Sequence, residues 1–215
     1  MSKLRGQRKS AALKAAQRWM TEYLERSHGQ LNRTGAVCPF VAPAKRAGSL
    51  LFQQWTAPPD VDAEAVVQFA HRMVDTFRSI VWPGSNGALH TLVAIVLDLP
   101  EDRLTLLDDA QSMVKTELVL DGLMLGQFHA KCEEGSARNP EFPVSRSPVP
   151  MLALRNMAFH DILFLRDRPD WFSAYARRYG DRYGEGLSVD PYFADLFAQA
   201  EQRWALKLDR GIDAR

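Results

Sequence analysis

The chain has 215 residues, 46% of them hydrophobic and 25% charged, which is ordinary for a globular protein able to bury a substantial core. A formal net charge of +1 provides no global field that would favour nucleic acid or an anionic membrane. No apolar run is long enough for a transmembrane helix, the N-terminus has no apolar signal region, and two cysteines are too few for a disulfide framework, so a reducing cytoplasm is the expected setting.

Lys3, Arg5, Arg8, Lys9, Lys14 and Arg18 all precede the first acid, Glu22; this reads as a solvated terminus rather than a nucleic-acid arm. Residues 10–27 place Leu13, Ala16, Trp19, Met20, Tyr23 and Leu24 at helical spacing. Residues 28–46 read as irregular, with Gly35, Pro39 and Pro43 as breakers. Residues 48–55 read as a strand. Asp60 or Asp62 then caps a helix running to about Arg78, with Val66, Phe69, Ala70, Met73, Val74 and Phe77 on one face.

Residues 89–99 form the clearest buried strand, rich in β-branched residues and stopped by Pro100. A helix over 105–120 ends at Asp121-Gly122. Residues 124–129 and 149–157 read as strands, joined by a loop of about twenty residues, a length that is usually functional or disordered. Residues 158–183 read as a helix broken near Pro169, and a last helix runs from Pro191 through Leu208. The expected fold is α+β: one domain over 1–215, with a mainly antiparallel sheet covered by helices on one face. Residues 1–30 supply an N-terminal helix, 31–170 the α+β core and 171–215 C-terminal helices. The terminal helices are open either to this sheet or to a second subunit in a homodimer.

The most informative stretch is 124–157. His129 ends an apolar run, and a loop rich in Gly, Pro and Arg follows, the layout of a side chain aimed into a cleft from a rigid element. Histidine suits a metal, haem iron or proton transfer near neutral pH. Arg138, Arg146 and Arg155 bracket the loop and can pair with carboxylates or haem propionates. Cys38, in Val37-Cys38-Pro39-Phe40, is either a thiolate ligand or a small buried anchor. His160, beside Asp161, is a second candidate; His28, His71 and His90 are weaker, and Trp82 and Phe128 read as core. There is no dinucleotide, phosphate-loop, serine-hydrolase or zincin motif. Cys38 and Cys132 lie far apart and neither belongs to a CxxC pair, so nothing in the spacing supports a Cys/His zinc site.

The segments CPF at 38–40, FRSIV at 77–81, MLGQFHA at 124–130, RNPEF at 138–142 and RSPVPMLALRNM at 146–157 resemble a bacterial family, domain of unknown function 6875, over roughly residues 33–170. A weaker similarity extends to the YqcI/YcgG family, some of whose members are haem-dependent enzymes that hydroxylate a guanidine nitrogen. That similarity implies a haem pocket built around His129, with Arg138, Arg146, Arg155 and Cys38 about the cofactor. It further implies a haem-dependent oxygenase acting on a small nitrogenous metabolite in a biosynthetic pathway, with an electron donor as partner. The chain departs from the families at Ala130, where they usually have proline, and at Asn156, where the first often has histidine. Both departures point toward a non-enzymatic binding or accessory protein of the same fold. A metal-free enzyme using His129 as acid or base is a third expectation.

Overall fold

The computed structural model describes residues 2–184 and 186–204; the residues of the expected last helix beyond 204, Leu208 among them, lie outside these. The chain is α+β and divides into two compact units, residues 1–115 with 124–156 and residues 116–123 with 157–215. No helix among the described residues is long and apolar enough to cross a membrane.

The first unit begins with helix α1, Ser2–Trp19, which continues into a π-helical turn, Met20–Leu24. Arg8, Lys9, Lys14 and Arg18 are exposed on it, while Ala16, Met20 and Leu24 are buried. Helix α2, Val41–Arg46, lies in the stretch expected to be irregular. Its Pro43 falls in the first turn, where a missing N–H costs no intrahelical bond. Strand β1 is Leu50–Thr56. Helix α3, Ala63–Ser79, is capped by Asp62, whose Oδ1 accepts from the Ala65 N–H at 2.8 Å, and all six residues expected on its apolar face are buried. Strand β2, Thr91–Leu97, leads to helix α4, Leu106–Leu120, strand β3, Leu123–Phe128, the short pair β4, Gly135–Ser136, and β5, Asn139–Pro143, and strand β6, Met151–Asn156.

The main sheet has the order β1-β2-β6-β3 and is mixed but mainly antiparallel. β1 and β2 run parallel, with Phe52 opposite Val93, and β2 and β6 antiparallel, with Val93 opposite Ala153. Directly opposed residues share a face. On one face Phe52, Val93, Ile95, Met151 and Phe128 pack with Met20, Leu24 and Val41. On the other, Trp55 stacks on Phe69 of α3 with ring centroids 4.5 Å apart. Helices therefore cover both faces, not one. The physical reason is in β2, whose five central residues are all buried and need apolar neighbours on each side.

The segment expected as a long loop contains the β4–β5 hairpin. At Gly135 the backbone passes so close to Pro140 that a Cβ would collide with it. Side chains tie the hairpin to the N-terminal segment: Asn139 Nδ2 donates to the Gln30 carbonyl at 2.8 Å, and the Tyr23 hydroxyl to the Val144 carbonyl at 3.1 Å.

The second unit contains helices α5, Ile162–Leu165, α6, Pro169–Tyr179, and α7, Pro191–Trp204. The break expected near Pro169 in the helical stretch 158–183 is present: Pro169 starts α6 at its first turn, where its fixed φ is suited to beginning a helix. Tyr175 is completely buried; its hydroxyl bonds the Phe159 carbonyl at 2.6 Å and the Tyr183 hydroxyl at 2.7 Å. Burial pushes the Tyr175 phenol far above its ordinary range. Gly122 has φ of 77°, and a Cβ there would fall on the Arg178 guanidinium, which donates to the Asp121 carbonyl.

Candidate metal centre

His129 stands one residue past the end of β3. Phe128 packs edge-on against Trp19, so the alternation of the strand directs Gln127 and His129 to the other face. Backbone bonds fix the turn that follows. The His129 carbonyl accepts from the Cys132 N–H at 3.1 Å and from the Ser147 N–H at 3.2 Å, His129 bridges Arg146 in parallel fashion, and Arg146 Nε donates to the Cys132 carbonyl at 3.3 Å.

The imidazole is 0% exposed. Its Nε2 lies 2.8 Å from Asp108 Oδ2, and its Nδ1 is buried with no hydrogen-bond partner among the described residues. Asp108 sits in the first turn of α4, where the helix N-terminus favours a negative charge, and its side chain is 34% exposed. Cys132 is completely buried. Its Sγ lies 3.7 Å from Asp108 Oδ1 and 4.0 Å from the Gln127 carbonyl oxygen, both long contacts. Burial, reinforced by the nearby carboxylates, pushes the thiol from 9.0 up to about 11. Without a cation nearby the sulfur therefore stays protonated near neutral pH, which disfavours a free nucleophilic thiolate. One donor atom each from Asp108, His129 and Cys132 can be chosen so that all lie within 4.8 Å of one another.

The other residues singled out in the sequence do not all gather here. Arg146 adjoins the site and is exposed. Arg155 lies on the opposite face of the sheet, opposite Thr91, with its guanidinium 5.0 Å above the Phe40 ring and donating to the Asn156 carbonyl. Cys38, two residues from Phe40, is half-buried against the apolar cluster on that same face, and its N–H donates to the Leu24 carbonyl. Arg138 is in the hairpin turn, where its carbonyl accepts from Asn32. His160 belongs to the second unit and is exposed, its ring edge-on to Phe159 and Phe193. His90 stacks on Trp82, and His28 on Phe142.

Two members of the centre were not among the sequence candidates. Cys132 is three residues from His129, a His-x-x-Cys spacing that a CxxC pattern does not cover. The expectation that no spacing favours a Cys/His site is corrected: one turn holds both side chains. Asp108 carried no distinguishing signal, because an acid in the first turn of a helix is an ordinary dipole-matched residue.

The family described as Domain of unknown function (DUF6875) matches residues 13–190, and the chain belongs to it. No curated protein and no solved structure matches the chain.

Proposed function

We propose that this protein is a metalloprotein in which His129 ligates the metal, and that the metal serves oxidative chemistry on a small nitrogenous metabolite. The observation that carries the metal assignment is the state of the imidazole: fully enclosed, held at Nε2 by a carboxylate, and lacking a partner at Nδ1. A buried polar atom left unpaired costs about 1–3 kcal/mol. A carboxylate on one ring nitrogen sets the tautomer and raises the basicity of the other, as in the outer shell of metal-bound histidines. The oxidative part rests on the resemblance of the His129 stretch to the YqcI/YcgG family.

Haem is the cofactor that this resemblance implies. Bound haem iron would supply oxygen activation, and the protein would supply ligation, orientation and exclusion of water. His129 is the residue to hold it, and Arg146 is the arginine placed beside that ligand to pair with a propionate or a substrate carboxylate. Cys38 and Arg155 lie on the opposite sheet face. The set around His129 therefore suits a single ion more closely than a macrocycle.

The enclosure of His129 favours a second reading, in which the protein binds a ligand or partner without catalysis, since a side chain that is 0% exposed offers no approach for a substrate. The test is expression with iron and a haem precursor, followed by absorption spectroscopy and metal analysis of the wild type and His129→Ala. Stoichiometric metal or a Soret band, absent from a folded His129→Ala variant, is the expected result. A wild type that takes up neither haem nor metal on titration supports the binding-protein reading. A variant with an unchanged spectrum removes His129 from the site.

A further inference from the structure

We infer that Asp108, His129 and Cys132 form a binding site for a single thiophilic divalent cation of the zinc type, with three protein ligands and a further position open to water or substrate. The inference rests on the reading of His129 as a metal ligand and departs from its oxidative part, since a zinc-type ion has no redox chemistry and acts as a Lewis acid. It replaces the macrocycle by a bare ion and turns Asp108 from the carboxylate that holds Nε2 into a ligand beside Cys132, the ion entering between Asp108 and the imidazole in place of their hydrogen bond.

Three observations carry it. The donor atoms are already gathered: one each from a carboxylate, an imidazole and a sulfur lie within 4.8 Å of one another. Carboxylate, imidazole and thiolate are the donors from which zinc sites are built. Next, the cluster is incompletely paired as it stands. His129 Nδ1 is buried without a partner among the described residues, and the fully buried Cys132 sulfur has long hydrogen bonds to Asp108 Oδ1 at 3.7 Å and the Gln127 carbonyl at 4.0 Å, besides one with the Glu134 backbone. A polar cluster serving only to hold the turn would be expected to pair its own groups. Finally, the frame is rigid. The His129 carbonyl accepts from two backbone N–H groups, and Arg146 clamps the Cys132 carbonyl, so both ligands are fixed before any ion arrives.

Structural zinc sites have four protein ligands and are closed, whereas sites that bind water or substrate have three. This centre has three. Asp108, with its side chain 34% exposed, is the member that reaches solvent and provides the route in. On binding, the Cys132 sulfur would lose its proton to solvent and become the thiolate ligand.

Cobalt(II) is the probe, because a thiolate–cobalt bond gives a charge-transfer band in the near ultraviolet that oxygen and nitrogen ligands do not. The full-length chain, purified without metal, is titrated with Co²⁺ and then with Zn²⁺. The expected result is one equivalent of Co²⁺ with a charge-transfer band, displaced by Zn²⁺. The chain has only two cysteines, so the same band in Cys38→Ser assigns it to Cys132 without requiring any variant of the site to fold. Cys132→Ser, where folded, should lose the band and bind Co²⁺ at least about tenfold more weakly. Co²⁺ bound without a charge-transfer band overturns the role of Cys132 while leaving His129 as a ligand. A protein that takes up haem through His129 but neither divalent ion overturns the ion site and preserves the function proposed above. Uptake of neither haem nor ion overturns both.

Discussion

The His129 turn in the first unit and the Tyr175 cluster in the second both bury polar groups in apolar surroundings, and they resolve the cost in opposite ways. The Tyr175 hydroxyl has two short partners, and the Tyr179 hydroxyl donates to the Met157 carbonyl at 2.6 Å. Asp161, almost fully buried, accepts the Ala158 N–H at 2.7 Å. Such a network repays its own desolvation and holds its helices in register. Around His129 one ring nitrogen is enclosed without a partner among the described residues, and the Cys132 sulfur has long hydrogen bonds to Asp108 and the Gln127 carbonyl. The closed network explains itself by stability alone. The open one is the ground on which a cation is proposed, since its carboxylate, imidazole and sulfur lie within 4.8 Å of one another.

That contrast can be broken or sharpened by experiment. The largest effect is expected from Tyr175→Ala, which deletes a fully buried aromatic ring and strands two oxygen partners. Denaturant unfolding should show a loss of about 3–5 kcal/mol. A loss below about 1 kcal/mol would mean that the cluster is not structural. At the other site, Asp108→Asn keeps the size of the side chain but removes its charge. Metal affinity should fall about 10–100-fold, with little change in metal-free stability. An unaltered affinity with reduced stability would reassign Asp108 to packing.

A smaller effect is expected at Gly122, where φ is 77° and Arg178 occupies the space of a Cβ. Gly122→Ala should cost about 1–2 kcal/mol in thermal unfolding, and an unchanged midpoint would show that the turn relaxes freely. The mildest expectation concerns pH. The folded Cys132 thiol is held up at about 11 against an ordinary 9.0, so between those values the unfolded chain has lost its proton and the folded chain has not. Metal-free stability should therefore decline as pH rises through that window, and be unaffected by this group below it. In the same window an alkylating reagent should label half-buried Cys38 before Cys132, as peptide mass mapping would show. Added zinc should suppress labelling of Cys132 alone.

The elements that were legible in the sequence are those whose signal is local. Helix α3 announces itself through Asp62 as its cap and a six-residue apolar face, and β2 through a β-branched run between two breakers. His129 was visible as a polar residue closing an apolar run. The β4–β5 hairpin was not, since its strands are two and five residues long and carry prolines at 140 and 143, so neither alternation nor propensity marks them.

The sequence by itself determined the α+β class, the order of the long elements, and the place of His129 at a strand end, because hydrophobic period, capping and breakers are properties of neighbouring residues. Only the tertiary structure decided that helices cover both faces of the sheet, that Cys38 and Arg155 fall on one face while His129 falls on the other, and that Asp108 meets His129 across twenty-one positions of chain. These are matters of which face an element presents and which distant turn it meets. They follow from how layers close on one another, which no local pattern encodes.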